Sequence, residues 1–483
     1  MKPNPKTPPV ATDATPTPAP AAANAGLVTD PSLPAESRAM PVGLLPTPTR
    51  EYRQRRKVRR AALATGTPVR TPIPPPAIPG ARVLTWKWDP GDGELDVRTA
   101  FLPGHILPGP RDARIEIDGL PPVVPNVLGD LIATPGTDSF DAIHTFAVVR
   151  RTLTLYQHAL FPTSVPWQWN DRGNTEPIRV YPRAGEAMNA FYSRRERALK
   201  FFSFTPPGTA AGAPPVRTCR SQDLVAHETA HAILDGLKPQ WILADQPPQT
   251  GALHEAFADL TAIFLMLSQP EQVAAIVMQT KANLHHRTFL ADLAEDPGLA
   301  LGRPTGLRAA DNELTLGQVG AEVYDLAQVF SGAIWDVLAD IVAFELKPNA
   351  DPTAVVYTAN EYVAGLLIRA LTAAPDSAAT FTDVVNQMLN VTELDDKPVQ
   401  YRNFIRRRFV LREVVESPAP LTGDYVSGDM LEPTVRDASQ AVQTRYACCG
   451  TLQHPQYAGA DTVAREIEEF VRGLSTPSSG GKR

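Results

Sequence analysis

Cysteine is almost missing from this sequence: its 483 residues hold three, Cys219 and the adjacent pair Cys448-Cys449. So few cysteines give no ground for a disulfide framework, and neighbouring ones pair only through a strained ring, so free thiols in a reducing compartment are expected. Long apolar runs are missing too. No stretch reaches the roughly 20 apolar residues that span a bilayer, and the proline-interrupted first residues contain no continuous apolar segment such as a secretory signal needs. Basic charge is not in excess. A net charge of −6 and a pI of about 5.9 provide no general attraction to nucleic acid or to anionic membranes. These absences predict a chain without nucleic-acid or membrane partners, cytoplasmic or exported by a non-classical route.

What is present is proline, with 49 residues, and it marks the ends of the chain. Residues 1–50 are rich in Pro, Ala and Thr and lack the large apolar groups of a core, so they read as disordered. A dense basic run from Arg53 to Arg60 follows; it reads as a solvated linker, a processing site for a trypsin-like protease, or a docking segment for an acidic surface. The stiff Thr71-Pro72-Ile73-Pro74-Pro75-Pro76 connector then leads to an ordered start near Ala81. The expected divisions are a tail over 1–80, a strand-rich lobe over 81–220, a helical lobe over 221–475 and a short tail over 476–483. With 43% apolar and 20% charged residues, the composition is ordinary for a packed globular chain.

Within the first lobe, short runs bounded by Gly, Pro and Asp predict strands at Val83 to Trp88, Arg114 to Ile117, Ile178 to Tyr181, Met188 to Tyr192 and Leu199 to Phe204. Phe146, Val149, Leu153 and Tyr156 keep a helical period, predicting a helix from Asp141 to Leu160. Trp167 and Trp169, at alternating positions, read as packing onto the sheet rather than stacking a ligand. Beyond residue 221 the pattern turns helical, with predicted helices at Val323 to Phe344, Ala354 to Ala374, Ala378 to Leu389 and Arg402 to Val415. The fold class is α+β.

At the junction stands His227-Glu228-Thr229-Ala230-His231. Ser221 is a plausible N-cap, Leu224, Val225, Ile233 and Leu234 supply an apolar face, and Gly236 with Pro239 ends the helix. Histidines four apart share a helical face, so both imidazoles reach one metal, and Glu228 stands beside the position of an activated water. A zinc-water site needs a third protein ligand. The next helix, expected to begin at the breaker Gly251, puts Glu255 and Asp259 one turn apart among apolar residues. Glu255 is then the third ligand for Zn2+, and Asp259 accepts the second ring N–H of a ligating histidine. His254, one residue from that ligand, points about 100° away from it. His285 and His286 are expected at the surface.

Over roughly Phe140 to Asp340 the chain resembles the thermolysin-like zinc metallopeptidases. Ser221 to His231 is similar to the family's active-site helix and Gly251 to Asp259 to its third-ligand helix. The resemblance implies a two-lobed zincin-like fold with the metal helices at the junction, zinc as cofactor, and a peptide or protein substrate. It implies that Asn189-Ala190-Phe191-Tyr192 is the edge strand that binds an extended substrate, with Asn189 and Ala190 as substrate-binding residues. Leu307-Arg308 resembles the segment carrying the substrate-carbonyl arginine, which gives Arg308 a catalytic role. Tyr324 falls where the family's transition-state histidine would be, a phenol in place of an imidazole. Gln246 stands at the position of the family's other active-site tyrosine. Asp223 matches one calcium ligand, but Met266 stands where a glutamate is needed, so no calcium is expected there. The implied activity is endopeptidase chemistry with Glu228 as general base. The alternatives are a zinc-retaining module without proteolysis and an aminopeptidase, although the Gly-x-Met-Glu-Asn segment typical of aminopeptidases is absent.

Overall fold

The computed structural model describes residues 79–87, 97–206, 209, 212, 214–286, 292–293 and 308–416. The expected terminal tails, the basic run, the proline connector, Trp88, Leu307 and Cys448-Cys449 lie outside the described residues, as does the expected helical lobe beyond residue 416.

A strand-rich N-terminal region precedes a helical C-terminal one. Strands β1 (Gly80–Trp86) and β2 (Val97–Pro103) form an antiparallel ribbon with Gly80 opposite Pro103 and Trp86 opposite Val97. Period-two alternation turns Ala81, Val83 and Thr85 inward from β1, and from β2 it turns in Ala100, Leu102 and, unexpectedly, Arg98. A four-stranded sheet follows, built from β3 (Ile115–Ile117), β4 (Ile178–Tyr181), β5 (Ala190–Ser193) and β6 (Ala198–Phe201) in the order β3-β4-β6-β5. β3, β4 and β6 run parallel, whereas β5 is antiparallel to β6 and forms the edge.

Parallel neighbours need a long crossover. Between β3 and β4 it is helix α1 (Asp138–Ala159), which begins three residues earlier than its apolar period indicates because Thr137 caps it, accepting the Phe140 amide at 3.3 Å. Trp167 and Trp169 pack in the loop after α1. Their rings stack at 6.2 Å, and their indole N–H groups donate to the carbonyls of Arg114 and Glu176.

The small ribbon β7 (Ser203–Phe204) and β8 (Val216–Arg217) leads into the helical region. Helix α2 (Gln222–Leu237) starts where Ser221 Oγ accepts the Leu224 amide at 3.2 Å. Near its end Gly236 lies against the Pro166 carbonyl so closely that a Cβ would sit 2.0 Å from it, which explains a glycine inside the last turn. Helix α3 (Pro248–Leu267) begins three residues before Gly251. Proline at the first helical position loses no needed hydrogen bond and presets φ, so Pro248 rather than the glycine marks the boundary. Helix α4 (Pro270–Thr280) and strand β2 have no counterpart in the sequence reading. Two-residue strands β9 (Asp292–Leu293) and β10 (Arg308–Ala309) pair antiparallel. Helices α5 (Val323–Glu345), α6 (Pro352–Ala373), α7 (Phe381–Leu394) and α8 (Val399–Leu411) complete the region.

One hydrophobic cluster runs from Val83 to Val415 through both regions. Helices α3 and α5 are long and apolar enough to cross a membrane, but they lie buried inside this cluster as core helices. Their apolar length is what a central core helix requires.

Candidate metal centre

Helix α2 carries His227 and His231 on the side facing α3, with Glu228 next to them, and α3 presents His254, Glu255 and Asp259 in return. All six are buried. The ligand atoms of His227, His231 and Glu255 lie within 4.8 Å of one another. His227 Nε2 and His231 Nε2 are 3.1 Å apart, and they lie 3.4 and 3.5 Å from the two Glu255 carboxylate oxygens. Separations of this size suit a shared metal, since bonds of about 2.0–2.1 Å put the corners of a zinc tetrahedron about 3.3 Å apart. Two imidazole nitrogens and one carboxylate oxygen form a donor set that fits catalytic zinc.

The outer ring nitrogens decide which way the inner lone pairs point. Asp259 Oδ1 lies 2.9 Å from His227 Nδ1. A neutral His227 therefore keeps its proton on Nδ1 and turns the Nε2 lone pair inward. Without metal, burial opposes protonation of His227, yet Asp259 and Glu255 outweigh it and carry its pKa well above the usual value.

His231 is held by a group that the sequence reading set aside. Its Nδ1 lies 2.7 Å from His254 Nδ1, with the two rings stacked 4.8 Å apart. Burial, aided by the charges of Arg194 and His227, pushes the His254 pKa down to about 3, so this ring is neutral. When His231 donates from its Nδ1 to the Nδ1 of a neutral His254, an Nε2 lone pair again faces inward. The helical angle between His254 and Glu255 is large, as expected. That angle turns His254 not to solvent but onto the flank of α2, where the outer face of His231 awaits it.

Glu228 is tied to the sheet. The Tyr192 amide in β5 donates to its Oε2 at 3.0 Å, while the Tyr192 hydroxyl donates to Asp235 Oδ2 at 2.8 Å, two turns further along α2. Arg194 closes on the same Asp235 carboxylate through Nε at 2.8 Å. Burial raises the Asp235 pKa and the Arg194 contact opposes the rise. Thus β5 is fastened to α2 at two points, one of them Glu228 itself.

Asn189, immediately before β5, turns its Oδ1 back onto the Ala190 amide at 2.8 Å, and its carbonyl accepts from Thr218 Oγ1 at 3.2 Å. Both oxygens are occupied within the chain. Ala190 is buried on the edge strand. Tyr324 is buried in the first turn of α5, its amide accepted by the N-cap Glu322 at 2.7 Å. Burial pushes the Glu322 carboxyl up, the Asp325 and Tyr324 amides pull it down, and the charge of Glu255 adds to the rise. The start of α5 is therefore within electrostatic reach of the triad. Arg308 contributes its backbone to β10; its side chain lies outside the described residues. His285 is engaged with Asp340 at 3.1 Å, about four helical turns along α5 from Tyr324.

The His227-Glu228-x-x-His231 pattern with a distal Glu255 is the metal triad characteristic of zincin-type metallopeptidase active sites. Neither the protein-family models nor the curated proteins compared with the chain match it.

Proposed function

We propose that the protein is a zinc-dependent endopeptidase of the thermolysin-like type that hydrolyses peptide bonds in extended protein segments. The observation that carries this reading is the clustering of His227, His231 and Glu255: the two Nε2 atoms are 3.1 Å apart and lie 3.4 and 3.5 Å from the two Glu255 oxygens, separations that suit zinc. In this reading the lobe over 81–220 supplies the edge strand for substrate, and the lobe from 221 onward supplies the metal ligands.

When bound, zinc supplies Lewis acidity and lowers the pKa of water towards neutrality. Glu228 is the general base: one carboxylate oxygen is oriented by the Tyr192 amide, and the group takes a proton from water and returns it to the leaving amine. Asp259 and His254 act through their histidines, fixing tautomer and ring orientation. The substrate backbone lies along β5, near Asn189 and Ala190. The oxygen of the scissile carbonyl gains negative charge, and the Tyr324 hydroxyl, with the Arg308 guanidinium, donates to it.

Metal analysis combined with cleavage of casein by the full chain and by Glu228→Gln tests the reading. Zinc in both proteins with cleavage only by the parent is expected. Zinc in both without cleavage by either would indicate a non-proteolytic zinc module, and equal cleavage by both would remove Glu228 from its role.

A further inference from the structure

A cavity of about 260 Å³ opens among β2, the C-terminal half of α1, α6 and the turn between α3 and α4, with none of the metal ligands in its wall. Phe101, Tyr357 and Tyr362 give it aromatic surface, and Arg150, Arg151 and Arg369 give it positive charge. Two of these arginines are already compensated. Arg150 Nε lies 3.1 Å from Asp112, and Arg369 closes a two-pronged contact on Asp395 at 2.8 and 2.6 Å.

Arg151 differs from Arg150, whose Nε also makes no hydrogen bond but has Asp112 beside it: among the described residues no carboxylate contacts Arg151, and its buried Nη2 has no hydrogen-bond partner. Arg98, on the inward face of β2, is more isolated still. Among the described residues, none of its three guanidinium nitrogens has a hydrogen-bond partner and the carboxylate paired with it, Glu271, is 3.9 Å away; its side chain is 6% exposed. Burial lowers the pKa of both guanidinium groups, Arg98 to about 10, and the Arg98 charge depresses Arg151 further. Glu361 also lines the cavity, where it hydrogen-bonds with Tyr357; burial raises its carboxyl pKa and that bond opposes the rise. Buried cations are costly unless paired, and here two share one loosely placed carboxylate. Binding an anion would supply what they lack.

We propose that this cavity binds a small organic anion, a carboxylate or a phosphate ester with an aromatic or short apolar body. The guanidinium of Arg151 takes the head, Arg98 adds its charge from behind, and the body lies against Phe101, Tyr357 and Tyr362. Arginine's planar fork suits both carboxylate and phosphate oxygens. On the scale in which a cavity of about 150 Å³ holds one benzene, there is room for on the order of ten non-hydrogen atoms. The site stands whether or not the metal centre cleaves peptides.

Calorimetric titration of the full chain with phenyl phosphate, and separately with benzoate, tests the proposal and tells the two head groups apart. At least one anion should bind saturably with one-to-one stoichiometry, and Arg151→Met should weaken it by about tenfold or more. Gly365→Leu provides a second variant that leaves the arginines intact. Gly365 lines the cavity, and an added Cβ there meets only Ala159 Cβ, at an ordinary 3.5 Å, so the helix accepts the residue while its side chain fills the space. Binding should be lost in Gly365→Leu with the melting curve intact, and that result carries the test if Arg151→Met does not fold. Failure of both anions to saturate up to about 10 mM, well above the usual range for a built site, would overturn the proposal. So would binding unchanged in both variants, which would assign the anion to the metal centre or another surface.

Discussion

The metal centre and the arginine cavity are both buried charge, and they are arranged in opposite ways. Around the metal triad, the outer nitrogens of His227 and His231 each meet a hydrogen-bond partner, and Glu228 is held by a backbone amide. At the cavity, Arg151 in its wall and Arg98 on the neighbouring strand leave guanidinium nitrogens without hydrogen bonds among the described residues. The first arrangement orients lone pairs at one point; the second leaves positive charge uncompensated. Preorganisation of the first kind suits a cation held for chemistry, whereas charge without a partner suits an anion that comes and goes.

The largest expected difference between the regions is in their dependence on metal. Two triad ligands sit on α2 and one on α3, so a zinc ion held by them would tie two core helices together. A ligand that binds only the folded state stabilises it by about 4 kcal/mol at a thousandfold excess over its Kd, so chelation should lower the melting temperature by on the order of 10 °C. An unchanged melting curve after verified zinc removal would mean that the triad is preformed without mechanical need of the ion.

Next in size is Tyr324→Phe, which keeps the ring and deletes the hydroxyl. Loss of one oxyanion donor costs about 3 kcal/mol, or on the order of a hundredfold in turnover, with little change in KM. Parental turnover and KM would reduce Tyr324 to a packing residue at the start of α5 and leave the oxyanion to Arg308 alone.

His254→Leu removes the acceptor from His231 while keeping an apolar body between the helices. Zinc affinity, measured by competition with a chelating dye, should weaken by about 10- to 100-fold. An unaltered affinity would show that the 2.7 Å contact does not orient the ligand.

The smallest effect has the opposite sign. Replacing a poorly paired buried cation by an apolar residue of similar volume is neutral to stabilising, so Arg98→Met should raise stability by about 1 kcal/mol in anion-free buffer. Clear destabilisation would mean that Glu271, 3.9 Å away, compensates Arg98 well, and the contrast between the two regions would weaken.

Much of the metal centre is legible along the chain because its geometry is local. His227 and His231 are four apart on α2, Glu255 and Asp259 four apart on α3, and helical periodicity alone puts each pair on one face. His254 was legible as a position but not as a contact. Its angle on α3 follows from its number, but what lies at that angle depends on how α2 crosses α3. Arg98 illustrates the same limit in a strand. Alternation in β2 would have turned it inward, but the strand itself lacks a strong apolar pattern and becomes definite only by pairing with β1 along its whole length. Helix α4, eleven residues long, is short enough that its helicity rests on packing.

The sequence by itself determined the donor set, the helices that carry it and the change from strands to helices near residue 221, because these follow from residue chemistry and short-range period. The tertiary structure alone decided the 3.1 Å approach of the two imidazoles, the His254 support, the Tyr192 tether on Glu228 and the cation-lined cavity. The physical reason is that a period fixes the face on which a side chain lies, whereas its partner comes from an element elsewhere in the chain, brought there by burial of a core shared between both regions.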